Sequence, residues 1–228
     1  MTDENSYTDE NIYSTDKRNT AKQLSDKAHY DKATVHRILD AGLVAHVAFV
    51  QEDGPVVVPM IYARQDETLF LHGARKARVI RMLEKNDSAC INVTLLDGIV
   101  LARSAFNSSM NYRSVTLFGT PRLIEDTEEK LRAMKAISEH VMPGRWDELR
   151  APHDKEIKMT GVIALEIESA SAKISAGGPS DEDDDYDIPI WAGALPIDSE
   201  VGALIDDDRL LPNVAPSAVV RAMQGRKL

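Results

Sequence analysis

L-V-A-H-V-A-F-V-Q-E-D-G-P-V-V-V-P-M-I-Y, residues 43–62, sets two runs of β-branched and apolar residues on either side of Asp53-Gly54. Each run has strand length. Asp-Gly between such runs is a strong short-range hairpin signal, because glycine tolerates the positive φ of a tight turn. An antiparallel hairpin excludes a doubly wound α/β sheet, whose parallel strands need a crossover helix between them. A second Asp-Gly, Asp97-Gly98, separates strand-like runs at 88–95 and 99–103 and predicts a second hairpin.

The pattern extends in both directions from the first hairpin. Asp31 is placed to cap a helix through Val35, Ile38 and Leu39 that Gly42 ends. A third strand is predicted over 68–72 and a basic helix over 74–85. A long strand covers 112–124. Asp126-x-x-Glu129 then resembles a capping box, opening a helix with Leu131, Met134, Ile137 and Val141 at helical spacing, closed by Pro143. Residues 159–173 alternate Val162 and Ala164 against Ile163 and Leu165, which predicts a last strand buried on one face. Six to seven strands, mostly in hairpins, with two or three helices predict a mainly β fold. Its form is an antiparallel β-barrel with helices, because closure removes exposed edges. Residues 1–28, polar and acidic, read as a flexible or loosely docked arm, 29–175 as the barrel domain and 176–228 as an acidic extension packing on it.

The net charge of −10 is concentrated. Residues 174–208 carry eleven acids and no Lys or Arg, so the rest of the chain is close to neutral. The run 181–187 reads as a solvated loop, and the acidity argues against nucleic-acid binding. No apolar run approaches the roughly 20 residues that span a bilayer, and no secretory leader pattern opens the chain. The single cysteine, Cys90, lies in an apolar strand-like run and is expected to be an inert thiol in a reducing compartment, which makes the cytoplasm the expected location. His/Cys metal spacing is absent, so no protein-held metal is expected.

Three features carry chemistry. Pro59 removes a ladder donor from a strand, marking an edge strand or a place where something other than a strand lies alongside. L-F-L-H-G-A-R-K-A-R, residues 69–78, turns from a strand through Gly73 towards a helix, with Arg75 and Lys76 expected in its first turn. There, free N–H groups and two cations would hold a phosphate, and the alternative is a solvated basic face. His72, at the strand end, is the histidine placed where a ligand could be touched.

H-R-I-L-D-A-G-L-V-A-H-V-A-F-V-Q-E-D-G-P-V-V-V-P-M-I-Y from His36, L-F-L-H-G-A-R-K from Leu69 and N-Y-R-S-V-T-L-F-G-T-P-R-L-I from Asn111 together resemble the pyridoxamine 5′-phosphate oxidase superfamily. Within it they resemble the flavin-nucleotide-binding branch that includes nitroimidazole-resistance proteins. The resemblance covers about 31–173 and continues to I-W-A-G-A-L-P-I from Ile190. It implies a split barrel of the FMN-binding type and a homodimer with the flavin at the subunit interface. It further implies that the backbone of Val58, Pro59, Met60 and Ile61 borders the flavin ring and that Leu71 and His72 touch the ribityl chain or ring. Arg75 and Lys76 would then hold the phosphate, Ser114 would stand at a flavin-contacting position (where the family has Gln), and Trp191 would approach the flavin from the second subunit. No Arg-x-His follows Trp191, so true pyridoxine phosphate oxidation is not implied.

These residues support a flavin-dependent oxidoreductase acting on a small molecule such as a nitro compound or quinone, with His72 as its candidate catalytic group. Relatives of the barrel also bind haem or a deazaflavin, so a non-catalytic flavin- or haem-binding protein, with His72 as axial ligand, is the alternative. A plainer third reading makes the barrel a partner-binding module with an acidic tail.

Overall fold

The structure, a computed structural model, describes residues 10–228. In chain order the elements are β1 (Ala28–His29), α1 (Lys32–Ala41), β2 (Val44–Gln51), β3 (Gly54–Gln65), β4 (Thr68–Ala74), α2 (Arg78–Leu83), β5 (Ala89–Leu101), β6 (Ser109–Gly119), β7 (Pro121–Leu123) and α3 (Thr127–Val141). They continue with α4 (Asp154–Met159), β8 (Thr160–Glu166), β9 (Ser169–Ser175), β10 (Gly193–Pro196) and α5 (Ala218–Met223).

All the strand pairs are antiparallel, in the order β1-β9-β6-β5-β2-β3-β4-β8-β7, with β10 added beside the far end of β5. The 43–62 hairpin forms as expected, with Val44 opposite Ile61, Gln51 opposite Gly54, and Gly54 at φ +123°. Two long runs turn corners and so count as four strands. β6 passes into β7 at Gly119-Thr120, where an added Cβ on Gly119 would sit 1.8 Å from the Glu166 carbonyl oxygen. β8 passes into β9 at Ile167-Glu168, held by Glu168 N–H to Phe118 O at 3.0 Å and Ile167 N–H to Glu67 O at 2.7 Å. These corners join the two ends of the strand order into a barrel.

The strand count among the described residues is therefore ten, above the six to seven expected, with β1 at the very start of the barrel segment and β10 contributed from beyond it. Asp97-Gly98 is not a hairpin turn. β5 runs straight through it with a register irregularity between Leu96 and Gly98. Leu195 O of β10 lies 3.0 Å from where a Gly98 Cβ would be, so the glycine admits a strand from much later in the chain.

One core fills the barrel. It joins Val35, Ile38 and Leu39 of α1 and Ile80 and Leu83 of α2 to inward residues such as Val47, Phe49, Tyr62, Leu71, Ile91, Leu117 and Leu165. Asp31 caps α1 by accepting from Thr34 N–H at 2.8 Å. Asp126 caps α3 by accepting from Glu129 N–H at 2.8 Å, whereas the Glu129 carboxylate turns to Arg122 instead of completing a capping box. α3 lies across the outside of the sheet, where Ala133 and Met134 meet Phe70, Val162 and Ala164. β8 is thus buried on both faces, not one: Ile163 and Leu165 face the barrel, and Val162 and Ala164 face the helix.

Of the expected N-terminal arm, residues 1–9 lie outside the described part. The remainder is docked: Tyr13 is buried in the core and its hydroxyl donates to Glu67 at 2.6 Å, while Asn19 Nδ2 donates to Ala170 O at 3.3 Å. The acidic run 181–187 is not simply solvated. The Asp181 carboxylate is fully buried and accepts from Arg103 N–H at 2.8 Å and Nη1 at 3.0 Å, and the Tyr186 ring lies 4.8 Å from the same guanidinium. One buried carboxylate with a charged donor pins the extension to the end of β5.

Candidate functional site: the split between β3 and β4

β4 pairs with β3 only from Tyr62–Leu71 to Gln65–Thr68. Beyond Tyr62 and Leu71 the two strands part: β4 continues along β8, and residues 55–61 of β3 keep β2 on one side with no strand among the described residues on the other. Pro59 lies in this open stretch, which has a side with no ladder to break. Val58 and Met60 turn their side chains inward, so only their backbone borders the opening, while Pro59 and Ile61 turn outward.

Ile61 and His72, the next positions after the last paired residues, flank the split. Both line a cavity of about 330 Å³, walled by Met134, Ile137, Ser138 and Val141 of α3 and by Met142, Arg145 and Trp146 beyond it. His72 Nδ1 is buried and has no hydrogen-bond partner among the described residues. Burial in these apolar surroundings holds the His72 pKa below the ordinary imidazole value, so the ring is neutral at neutral pH. A neutral imidazole in the wall of an apolar recess is in the form that binds a metal ion or moves a proton.

The turn that closes the cavity is built tightly. Pro143 stops α3, and Gly144 follows at φ +85°. The Glu139 carboxylate then accepts from Gly144 N–H at 2.6 Å and from Trp146 N–H at 3.0 Å, so one side chain of the last helical turn fixes the segment that presents Arg145 and Trp146. Arg145 Nη1 donates to Glu148 Oε2 at 2.9 Å, and the same carboxylate accepts from the Ser217 hydroxyl at 2.8 Å.

Arg75 and Lys76 lie just before α2, not in its first turn, because Ala77 is the capping residue. Arg75 N–H donates to Met159 O at 2.8 Å, and its backbone packs over Gly161, where an added Cβ would meet the Arg75 Cα at 3.2 Å. Both terminal nitrogens of Arg75 reach the Glu84 carboxylate at 3.0 Å. Lys76 is exposed, with no acceptor among the described residues. The two cations stand at the end of β4, one held in place by a carboxylate.

Leu71 is fully buried and offers a ligand only its backbone. Ser114 lies on β6, on the outer sheet face, sharing hydrogen bonds with Asn92 at 3.0 Å and Thr94 at 2.9 Å. Trp191 is 65% exposed beside β10. Within one chain the structure brings together Ile61 and His72 at the cavity, whereas Ser114, on β6, and Trp191, just before β10, do not line it. The α3 stripe and the Arg145-Trp146 turn are the site residues that sequence reasoning missed. In the sequence Met134, Ile137 and Val141 show only as apolar residues at helical spacing. The signal was the adjoining Pro-Gly-Arg-Trp, which sets a cation and an aromatic ring at the end of that stripe.

No group of three or more His, Cys, Asp or Glu among the described residues is arranged to hold a metal ion, and no helix among them is long and apolar enough to cross a membrane. No curated protein matches the chain. A flavocytochrome from Azotobacter vinelandii is 36% identical and superposes with a TM-score of 0.87, covering 94% of this chain and all of its own. A FAD- and haem-binding protein from Mycobacterium smegmatis is 35% identical at a TM-score of 0.83, covering 87% of this chain and 98% of its own. A protein described as a candidate 5-nitroimidazole antibiotic resistance protein, from Bacteroides thetaiotaomicron, is 26% identical at a TM-score of 0.56, over 64% of this chain and 86% of its own. The first likeness spans so much of the chain that it takes in most of the extension as well as the barrel. Residues 31–174 match the family described as pyridoxamine 5′-phosphate oxidase, well over half of the chain, and the chain belongs to that family.

Proposed function

We propose that this protein binds a flavin and a haem and is a redox protein of the flavocytochrome kind, with His72 as the haem's axial ligand. The observation that carries the reading is His72 itself, whose mostly buried, neutral ring stands in the wall of an apolar cavity of about 330 Å³. Such a recess suits the flat apolar body of a haem, and an imidazole is its commonest protein ligand. The two relatives that match nearly the whole chain are a flavocytochrome and a FAD- and haem-binding protein, which supports the same pairing.

The flavin belongs in the open edge of β3. Backbone groups of Val58, Pro59, Met60 and Ile61 would border its ring, and Arg75 and Lys76 would take its phosphate, Arg75 exchanging Glu84 for the ligand. The resemblance implies FMN, and the Mycobacterium smegmatis relative is described as binding FAD. Both carry the same ring and first phosphate, which are the parts these residues meet. When bound, the flavin supplies the redox chemistry, and the protein supplies position, a phosphate anchor and an apolar wall.

The reading includes a homodimer. Val44, Val50, Val57 and Ile61 are 44%, 66%, 59% and 41% exposed along the outer face of the β2–β3 hairpin, an apolar strip suited to a second copy. That copy would bring Ser114 and Trp191 to the flavin. The reading also includes a small-molecule substrate, a nitro compound or quinone, and a cytoplasmic location, in keeping with the unpaired Cys90.

Titration of the purified full-length chain with FMN, FAD and haemin tests this. One equivalent of flavin and one of haem per chain are expected, with the haem giving a sharp Soret band. A protein that takes up neither refutes the reading. Flavin uptake without haem would return it to a flavin-only oxidoreductase, in which case reoxidation of NAD(P)H with a quinone or nitro compound becomes the assay.

A further inference from the structure

We infer that Arg145 binds the carboxylates of the ligand that fills the His72 cavity, and that Glu148 competes with the ligand for it. This rests on the haem reading given above. Arg145 is the cation among the cavity's lining residues; the other walls are apolar, apart from the Ser138 hydroxyl and His72. A cavity that is apolar over most of its wall and cationic at one point matches a molecule with an apolar body and an anionic edge. A haem, with its two propionates, has that chemistry.

Three observations mark Arg145 as placed for this role. Its backbone is fixed, because the Glu139 carboxylate accepts from Gly144 and Trp146 N–H on either side and Arg145 N–H donates to Met142 O at 3.1 Å. Its side chain is only half-committed: Nη1 reaches Glu148 at 2.9 Å, and its remaining donors have no acceptor among the described residues. Glu148 has a second partner ready, the Ser217 hydroxyl at 2.8 Å, so it is not stranded when the guanidinium swings to a ligand. A planar guanidinium can hold a carboxylate through two parallel N–H groups, and such charge-assisted pairs are about twice as strong as neutral ones.

The experiment compares two probes on the full-length ligand-free protein, haemin and haemin dimethyl ester, whose carboxylates are capped. Affinity is read from the Soret band. Wild type should prefer haemin over the ester by about tenfold, the order of one partly exposed charge-assisted contact. Arg145→Ala should erase that preference by weakening haemin and leaving the ester unchanged, and Arg145→Lys should restore part of it. Glu148→Gln should tighten haemin a few-fold by removing the competitor, a gain that a damaged fold cannot produce. Retention of the preference in Arg145→Ala, or equal affinity for both probes in wild type, overturns the assignment while leaving a His72-dependent haem site intact. Absence of any His72-dependent Soret band in wild type would remove the haem reading, and this inference with it.

Discussion

Replacing His72 by leucine should stabilise the ligand-free protein. The ring is mostly buried, and its Nδ1 has no partner. A buried polar atom left unpaired costs about 1–3 kcal/mol, and because His72 also lines an open cavity the lower end applies, about 1 kcal/mol. Leucine is close in size and carries no polar atom. For a chain of this length, 1 kcal/mol corresponds to about 2–4 °C in Tm. The effect should depend on pH. The folded-state pKa of His72 is depressed below its ordinary 6.5, so the unfolded chain binds more protons below that value. Wild-type stability is therefore full above pH 6.5 and falls as the pH drops towards the folded-state value. His72→Leu should flatten part of this decline. His36 contributes to the same decline, since its pKa is also lowered, first by burial and then by the Arg64 charge. Haem reverses the comparison, since a ligand that binds only the folded wild type adds stability the variant cannot gain. Urea unfolding of both ligand-free proteins across pH 5 to 8 is the assay. A loss of 2 kcal/mol or more in the variant would refute the reasoning, because it would mean that His72 is a packing or hydrogen-bonding residue rather than one kept at a cost to stability.

Two further outcomes follow from the contacts. Glu84→Gln should free Arg75 from its carboxylate, costing no more than about 1 kcal/mol of stability for a partly exposed pair while tightening flavin binding about threefold to fivefold by fluorescence titration; unchanged or weaker binding would move the phosphate away from Arg75. Gly119→Ala forces a methyl group to within 1.8 Å of the Glu166 carbonyl oxygen at the β6–β7 corner, so that corner must move, and destabilisation of about 3 kcal/mol or more in denaturant is expected; a change under 1 kcal/mol would mean the corner is not rigid.

What could be read in advance was whatever is local. The 43–62 hairpin, the caps at Asp31 and Asp126 and the end of α3 at Pro143 each depend on residues within a few positions of one another, and each formed where expected. Asp97-Gly98 carries the same dipeptide as the first hairpin but serves a different purpose, because Gly98 pairs with Pro196 of β10, far later in the chain. No local pattern distinguishes a glycine that turns from one that makes room. Residues 112–124 and 159–173 read as single strands because a corner between sheets leaves the apolar periodicity almost undisturbed. The same limit applies to the site. His72 stood out at a strand end, but its cavity is made by α3, and the sequence of a helix does not say which sheet face it will cover. Arg145 and Trp146 became visible only once the Pro143-Gly144 turn carried them back over that face.

The visible spectrum of the full-length protein reconstituted with flavin and haem, recorded beside His72→Ala, tests the central claim most directly. The wild type should show flavin bands together with a Soret band, and His72→Ala should keep the flavin bands and lose or strongly shift the Soret band. An unchanged Soret band in the variant, or a wild type that takes up no haem at all, would contradict the assignment of His72 and of the cavity it faces.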